Sequence, residues 1–423
     1  MADAVGRTFC EFFAGIGLVR EALEASGWSC VYANDVDPKK RGLYVGRFGD
    51  EGHFHLGDVW ETPEVVGRIG GRPLLATASF PCVDLSLAGN GRGFEGSHSS
   101  TFFGFVRAME SLGGRRPPMV LLENVTGFLT SAGGRDFEAA ARALAGLGYR
   151  LDAFTLDAAM FVPQSRPRVF VVGVRSDVLP PGAMARDASG WFGDAWGDRL
   201  ESADRRVRPR RLVDLMRAID LPTGWIAFDL PAPEGAPPGV AEVIDRDDGQ
   251  DWWDAEAVAK HRAMMHDRHR ERVDAMVADG STFVGTIFRR KRDGRTRAEV
   301  RFDGVAGCLR TPRGGSARQI VVVVEAGRLR MRWMSPREYA RLQGAPDFPL
   351  AANTTQNLFG FGDAVCVPAV QWIDRHVLSP TAAALVGPDS GTGTRRTTPG
   401  GRQPDARPAP ADDAGGERQE HVA

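Results

Sequence analysis

Residues 8–17 read TFCEFFAGIG, an apolar strand candidate that runs directly into a turn of small residues. Thr8–Phe12 has the composition of a buried strand, Gly15–Gly17 turns the chain, and Leu18–Ser26 carries apolar residues at helical spacing. Glycine at a strand-to-helix turn lets a ligand approach the backbone at the helix N-terminus. A tight turn without a ligand is the alternative explanation. The stretch therefore predicts a βα unit, with a nucleotide site as its candidate function.

The same alternation of strands and helices continues to about residue 178. Further strands are predicted at Trp28–Ala33, Leu74–Ser79, Met119–Leu122 and Val169–Val174, with helices at Phe102–Leu112 and Phe137–Leu147. A repeated βαβ rhythm predicts a mostly parallel sheet with helices on both faces. We therefore assign residues 1–178 to a Rossmann-like α/β domain.

The rhythm ends after residue 178, where the composition changes. Residues 179–330 are rich in Pro, Gly, Trp and Arg, and up to about residue 300 they show no steady periodicity. This composition predicts a smaller, irregular second domain that contains one charged helix at residues 255–278.

Regular signals return towards the end of the chain. A strand is predicted at Ile320–Val324, and helices are predicted at Pro336–Gln343 and Val367–Val377. We group residues 331–378 as a closing segment. Residues 379–423 carry almost no large apolar side chains and are expected to be disordered.

Composition limits the class of protein. The chain has 423 residues, 43% of them hydrophobic, and a formal net charge of −1, which is typical of a globular protein. Its apolar runs, such as Val169–Val174, are too short to cross a bilayer, and Met1–Cys10 lacks a signal-peptide pattern. These features predict a cytoplasmic protein. The five cysteines form no Cys-x-x-Cys pair, so neither a disulfide scaffold nor a metal site is expected.

Reactive side chains follow three of the predicted strands. Asp35 ends the second strand, about 20 residues after the glycine turn, where an acidic side chain meets ribose hydroxyls in Rossmann-like sites. Cys82 and Glu123 follow the next two strands of this sheet, at the edge where open parallel sheets bind ligands. Cys82 is placed there as a nucleophile or as a small buried hydrophobe. Glu123 is placed as a general acid or as a capping residue.

Arginine is concentrated in three places. Arg166 and Arg168 flank a proline just before Val169–Val174, either as surface charge or as an anchor for an anion and a base carbonyl. Larger basic clusters lie at residues 205–211 and 289–301. They are either solvated charge or groups that neutralise phosphates and reach guanine edges. Because the net charge is only −1, any nucleic-acid surface must be local.

The order and spacing of these motifs resemble those of the cytosine-C5 DNA methyltransferase family. The resemblance covers about residues 8–178 and 330–378, in the family's unpermuted order. It implies that residues 179–330 are the target-recognition domain and that the final helix of the closing segment packs back onto the first domain. The segments that carry it are Phe13–Gly17, Asn34-Asp35, Gly57-Asp58-Val59, Phe80–Ser86, Ser100–Phe105, Glu123-Asn124-Val125, Gln164–Arg168, Ser335–Glu338, Arg341–Gly344, Pro346-Asp347 and Gly362–Val365.

The resemblance implies an enzyme that transfers a methyl group from S-adenosyl-L-methionine to C5 of a cytosine rotated out of duplex DNA. The cofactor contacts that it implies are Phe13, Ala14, Gly15, Ile16, Gly17, Asp35, Val36, Asp58, Val59 and Asp363. No metal is required for this chemistry.

The resemblance also assigns catalytic roles. Cys82 is expected to add to cytosine C6, and Glu123, in its protonated form, to donate to N3. Arg168 is expected to contact the cytosine O2 and hold Glu123, whereas Arg166 contacts a phosphate or steadies the nucleophile loop. DNA contacts are expected from Ser86, in a glycine-rich loop at residues 83–100, and from Arg313 in Thr311–Ser316.

Three departures from the family pattern concern the subfamily rather than the chemistry. The nucleophile loop reads Pro-Cys-Val-Asp-Leu-Ser instead of Pro-Cys-Gln-x-Phe-Ser, Leu18 replaces a frequent glycine, and Asp363 replaces the commoner asparagine. They leave the nucleophile, the acid and both arginines in place.

Two alternatives remain open. A tRNA-methylating branch shares the catalytic motifs, but the long segment 179–330 favours duplex DNA, which needs added recognition surface. A catalytically silent DNA-binding protein is the other alternative, against which the intact Cys82, Glu123 and Arg168 argue. The leading hypothesis is a monomeric bacterial methyltransferase of a restriction-modification or phage-defence system, with a cognate restriction endonuclease or other defence proteins as functional partners.

Overall fold

The computed structural model describes residues 6–81, 100–186, 194–235, 237–292, 294–312 and 317–386. Cys82, Ser86 and Arg313, which the sequence predicts to act in catalysis or DNA binding, lie outside these described residues. Within the described ranges, no helix is long and apolar enough to span a membrane.

Strands and helices alternate through the first half of the described chain. The strands are β1 (Thr8–Phe12), β2 (Ser29–Asp35), β3 (Phe54–Leu56), β4 (Leu75–Ala78), β5 (Met119–Val125), β6 (Tyr149–Asp157), β7 (Pro167–Arg175), β8 (Met184–Ala185), β9 (Ile226–Ala227), β10 (Phe283–Arg292), β11 (Arg295–Arg301), β12 (Ile320–Glu325) and β13 (Arg328–Trp333). The α-helices are α1 (Leu18–Glu24), α2 (Pro38–Phe48), α3 (Thr62–Arg68), α4 (Thr101–Ser111), α5 (Arg135–Gly146), α6 (Ala195–Ser202), α7 (Arg210–Ala218), α8 (Val240–Val243), α9 (Ala255–Ala263), α10 (Asp267–Ala278), α11 (Pro336–Leu342), α12 (Thr354–Asp363), α13 (Val367–Ile373) and α14 (Ser379–Val386).

The first seven strands form one sheet in the order β3-β2-β1-β4-β5-β7-β6. Strands β1 to β5 pair in parallel, whereas β7 is antiparallel to both β5 and β6. The short connection from Asp157 to Pro167 explains this reversal, because a parallel return needs a crossover of a dozen or more residues. Every residue of β4 is buried, as in strands covered on both faces. The prediction of a mostly parallel α/β sheet is confirmed.

Several strands and helices of the first half of the chain were not predicted from the sequence. Helix α2 contains Lys39, Lys40 and Arg41 near its start and two glycines further on, so it lacks a continuous apolar stripe. Its local signal is the start instead: the Asp37 carboxylate accepts from the Lys39 N–H at 2.8 Å, and proline follows the cap. Strand β6 was missed because its apolar pattern is interrupted by Asp152, which is buried.

The chain beyond residue 178 first covers the large sheet. Trp196, Leu212 and Trp225 are buried in the same apolar cluster as residues of β5, β6 and β7. Arg208 reaches inward from this covering layer, and its Nη2 lies 2.6 Å from Asp152 Oδ2, with both side chains fully buried. Residues 195–227 of the predicted second domain therefore contribute to the core beside the first sheet.

A second sheet follows, and it is more regular than the composition predicts. It is antiparallel, in the order β11-β10-β12-β13. The predicted charged helix over 255–278 is instead two helices, α9 and α10, separated by Met264–His266. Val273 of α10 packs with Ile287 and Val322 of the sheet, so the mainly charged helix covers the sheet with a narrow apolar face.

The end of the described chain packs beside the first sheet. The indole N–H of Trp28 donates to Asp374 Oδ1 at 2.7 Å, in the turn of π-helix that links α13 to α14. Residues 379–386, which the composition assigns to a disordered tail, form α14, with Thr381 and Ala382 buried. Residues 387–423 lie outside the described residues.

Candidate active site

The turn after β1 is built for close approach to its backbone. Phe13, Gly15 and Gly17 all have left-handed φ angles, of 56°, 59° and 83°. Such a conformation is rare for a bulky residue such as phenylalanine, and backbone strain of this kind clusters at ligand sites. At Gly17 a Cβ would lie 2.5 Å from the Phe48 ring, so glycine is required there for packing as well. Ala14 and Ile16 are buried, so the backbone and the partly exposed Phe13 are the accessible part of this turn.

Asp35 fixes the turn to the end of β2. Its Oδ2 accepts from the Gly15 N–H at 2.9 Å, and its Oδ1 accepts from the Asp37 N–H at 2.9 Å. Val36, the next residue, is 70% exposed. A buried carboxylate beside an open apolar side chain fits a nucleoside, which presents hydroxyl groups and a flat base.

The loop after β3 lies next to this turn. The Asn34 side-chain amide donates to the carbonyl oxygens of His55 and Gly57, at 3.2 and 2.8 Å. Asp58 Oδ1 accepts from the Trp60 N–H at 3.0 Å, whereas the Val59 side chain is buried against Gly104 of α4. The structure therefore brings the predicted cofactor residues of three loops to one end of the sheet.

Asp363 is joined to this end of the sheet by a lysine that sequence reasoning missed. Lys40 Nζ lies 3.0 Å from Asp363 Oδ2. Burial alone lowers the pKa of Lys40, but the nearby carboxylates of Asp363 and Asp35 outweigh burial and raise it. Lys40 therefore stays charged and links the closing segment to the cofactor side. The sequence signal that could have placed Lys40 in a helix is the start of α2, where Asp37 caps the helix and Pro38 follows.

Glu11, in the middle of β1, is a second residue that sequence reasoning missed. Burial raises the pKa of Glu11 to about 8, against the opposing effect of Arg20. Its Oε2 has no hydrogen-bond partner among the described residues. Because it lies within an otherwise apolar strand, no spacing rule distinguishes it from a residue at the surface.

Glu123 and Arg168 form an ion pair at the predicted catalytic edge of the sheet. Arg168 of β7 pairs with Val125 of β5, so it is a diagonal neighbour of Glu123 across the two strands. Arg168 Nε lies 2.8 Å from Glu123 Oε1, and both side chains are largely buried. Asn124 donates to the Phe80 carbonyl at 3.1 Å and so fixes the chain two residues before Cys82.

Arg166 points inward rather than towards solvent. It is 2% exposed, and it donates to the carbonyl oxygens of Leu309 and Gly362 at 2.8 and 3.1 Å. Burial lowers the pKa of Arg166, and the neighbouring charge of Arg168 lowers it further. Arg166 therefore clamps two distant segments onto the catalytic edge, a geometry that favours a steadying role over a phosphate contact.

Two buried glutamines complete the same junction. The Gln164 amide donates to the Leu342 carbonyl at 2.7 Å and accepts from the Leu309 N–H at 3.1 Å. Gln343 donates to the Phe361 carbonyl at 2.6 Å. Gln343 belongs to the motif Arg341–Gly344, but only these contacts show that its side chain joins the segments of this junction.

Comparisons with known proteins agree with this geometry. A family model described as C-5 cytosine-specific DNA methylase matches residues 7–379. The Type II methyltransferase M.HhaI of Haemophilus parahaemolyticus is 32% identical over 174 residues, which are 41% of this chain and 50% of that protein. The aligned part of this chain thus spans half the length of M.HhaI. M.HpaII of Haemophilus parainfluenzae, also a Type II methyltransferase, is 25% identical over 390 residues, 88% of this chain and 89% of that relative.

Solved structures show the same fold. A DNMT2 mutant of Spodoptera frugiperda matches with a TM-score of 0.57 and 15% identity, over 89% of this chain and 100% of that one. Dnmt2 methyltransferase of S. pombe matches with a TM-score of 0.53 and 15% identity, over 88% and 98% of the two chains. With the family match over nearly the whole length, the chain belongs to the C-5 cytosine-specific DNA methylase family.

Proposed function

We propose that this chain is a DNA (cytosine-5-)-methyltransferase that uses S-adenosyl-L-methionine and acts on a specific duplex DNA sequence. The observation that carries the proposal is the Glu123–Arg168 contact of 2.8 Å, on the same sheet edge as the turn over residues 13–17. Membership of the family supports the reaction type. The names of M.HhaI and M.HpaII, both Type II methyltransferases, support a restriction-modification or phage-defence role.

Covalent catalysis is the proposed mechanism. The Cys82 thiolate adds to cytosine C6, which makes C5 nucleophilic, and Glu123 donates a proton to N3 as negative charge develops on the ring. S-adenosyl-L-methionine supplies the methyl group that C5 takes. A base then removes the C5 proton, the thiolate leaves, and N3 returns its proton to Glu123, which restores the aromatic ring and the acid. Arg168 supports this sequence electrostatically by holding Glu123 and facing the cytosine O2.

The proposed cofactor contacts follow from the open parts of the site. The backbone of the turn 13–17 would hold the methionine end, Asp35 would accept from the ribose hydroxyls, and the exposed side chain of Val36 would contact the adenine ring. Asp58, in the loop after β3, would bind the adenine amino group. Asp363 is proposed to act through its pairing with Lys40.

The target strand is proposed to lie between the two sheets, with the base rotated into the catalytic edge. Arg289 and Arg318 support a DNA-facing role for the second sheet, because their guanidinium groups lie 4.8 and 5.2 Å from the centre of the Trp333 ring. Burial lowers the pKa of both arginines, and a phosphate would offset that cost. Ser86 and Arg313 are proposed to contact the DNA, and the division into domains at residues 179 and 331 is proposed as well.

The proposal extends to cellular context. We infer a protein that acts as a monomer on each DNA strand in the bacterial cytoplasm and joins the nucleoid when it binds DNA. A cognate restriction endonuclease or other defence proteins would be its functional partners, without a need for direct contact.

The test is base-resolution sequencing of cytosine methylation in a methylation-free bacterial host that expresses the chain. We expect methylated C5 confined to one short sequence, and none in a Cys82→Ser control. Glu123→Gln should lower the rate by roughly 100-fold or more while the protein stays folded, because proton donation is worth 10²–10⁴-fold. Methylation of tRNA but not of duplex DNA would contradict the DNA substrate, and no methylation of either would favour a silent binding protein.

A further inference from the structure

One thiol outside the predicted site lies among the active-site arginines. Cys308 Sγ is 3.4 Å from Arg166 Nη1, and Arg168 also hydrogen-bonds to this thiol. Arg310 is the third guanidinium whose charge acts on it. Arg168 also contacts Glu123, so the Arg168 side chain connects Cys308 to the proposed catalytic acid.

The fold fixes the position of this thiol. Ala306 exchanges backbone hydrogen bonds with Pro163 and Ser165, at 2.7 and 2.9 Å. Leu309, on the other side of Cys308, donates its N–H to Gln164 Oε1 at 3.1 Å. The segment 306–309 is therefore attached to the catalytic edge on both sides of Cys308, and the thiol does not belong to a free loop.

The buried positive charges around Cys308 favour an anion at this position. Arg166 is almost fully buried, and among the described residues no carboxylate lies within ion-pair distance of it. Its Nε atom also has no hydrogen-bond partner there. Arg168 adds a second positive charge next to it, and each guanidinium disfavours the charge of the other. A buried charge is tolerated when an opposite charge and hydrogen bonds accompany it.

We propose that Cys308 is a positioning residue for the proposed methyl transfer: its thiolate lies between Arg166 and Arg168 and holds Arg168 in the orientation that contacts Glu123. Burial raises the pKa of Cys308, but Arg166, Arg168 and Arg310 outweigh burial and leave it below the ordinary value. The thiolate supplies negative charge to the two guanidinium groups, which Glu123 cannot do in the protonated form that donates to N3. Cys308 forms no bond to the substrate in this scheme.

The kinetic test compares two substitutions of similar size. Cys308→Ser removes the anion, whereas Cys308→Asp keeps a permanent one. We expect Cys308→Ser to lower kcat by roughly 10- to 100-fold, the loss seen in metal sites when a group that orients a ligand side chain is removed. The KM for S-adenosyl-L-methionine should be unchanged. Cys308→Asp should recover most of this loss. Equal activity of wild type and Cys308→Ser, or a Cys308→Asp variant no better than Cys308→Ser, would overturn the proposal.

The pH profile of kcat is a second test, because this profile would not change if Cys308 only filled space. In wild type the activity should rise as both Cys82 and Cys308 ionise, whereas the aspartate variant should keep only the part of the rise that belongs to Cys82. The charged groups that face the thiol are Arg166, Arg168 and Arg310, and Glu123 and Asp363 face Arg166 in turn. A profile that is the same in Cys308→Asp as in wild type would contradict the proposal.

A titration that needs no methylation keeps this inference separate from the proposed function, on which its kinetic part rests. In a Cys82→Ser background, alkylation of Cys308 by iodoacetamide is followed by mass spectrometry as a function of pH. The pH at which the alkylation rate is half of its maximum should lie below about 8.5, the pKa of free cysteine. This pH should be higher in Arg310→Ala. A midpoint at or above that of free cysteine would overturn the thiolate. Absence of methylation by wild type, with a low midpoint, would overturn only the proposed function.

Discussion

Two arginine-rich segments look alike in sequence and have opposite surroundings in the fold. In residues 205–211, Arg208 is fully buried against Asp152, and Arg206 pairs with Asp204 at 2.6 Å. In the second sheet the Arg289 guanidinium lies 4.8 Å from the centre of the Trp333 ring, and that of Arg318, just before β12, lies 5.2 Å from it. Arginine density alone therefore does not identify a nucleic-acid surface. The two regions differ in that an aromatic ring, Trp333, collects two guanidinium groups in the second, whereas the contacts of Arg206 and Arg208 in the first are to carboxylates.

The largest effect is expected from Arg208→Ala. Removal of this guanidinium leaves the Asp152 carboxylate buried without its ion-pair partner, which costs about 3–5 kcal/mol in the free energy of unfolding. Urea denaturation followed by circular dichroism measures this loss. Arg208→Met combined with Asp152→Asn removes both charges and should recover most of the stability. If Arg208→Ala unfolds at the wild-type midpoint, the pair has no structural role.

A pH dependence should accompany this change. Burial raises the pKa of Asp152 to about 6, and Arg208 opposes the rise, so the pKa should be higher still in Arg208→Ala. A folded-state pKa above the unfolded value of about 3.9 means that stability is greatest at low pH and declines as pH rises through the folded pKa. Arg208→Ala should therefore melt at a higher temperature at pH 5 than at pH 8. The double variant with Asp152→Asn should lose this difference, and an unchanged difference would rule out Asp152 as its source.

A smaller effect, on DNA binding rather than stability, is expected from Arg318→Ala and Arg289→Ala. If each guanidinium neutralises one phosphate, each substitution should reduce the slope of log Kd against log salt concentration by about 1. Fluorescence anisotropy with a duplex at several salt concentrations measures the slope. Arg301→Ala is the control, since Arg301 lies in the same sheet and pairs with Asp303 at 2.5 Å. A slope reduced equally by Arg301→Ala would show that contact with Trp333 does not mark the arginines that bind DNA.

The smallest effect is expected from Arg206→Ala. The Arg206 side chain is 63% exposed, and its ion pair with Asp204 is surrounded by solvent. Exposed pairs of this kind contribute about 0–1 kcal/mol, so the melting temperature and the salt slope should both stay close to wild type. A loss of DNA affinity comparable with that of Arg318→Ala would show that the first cluster also faces DNA.

The sequence predicted the central part of the fold well because its signals there are local. Strands β1, β4 and β5 are short apolar runs that each lead into small or polar residues, and the sheet order brings their carboxyl ends together. The elements that were missed lack such a signal. Helix α2 has a charged first turn, and β6 carries Asp152, whose charge is compensated by a residue 56 positions further along the chain.

By itself, the sequence determined the order of the motifs, the parallel sheet and the residues that can carry the chemistry, because spacing and hydrophobic period are properties of neighbouring residues. The tertiary structure alone decided what each charged group faces. Arg166 and Arg168 are two positions apart, yet one clamps Leu309 and Gly362 while the other contacts Glu123. Cys308 joins them from a segment 142 residues beyond Arg166. Burial and pairing depend on such distant contacts, since the free energy of a buried charge is set by the groups that surround it in space.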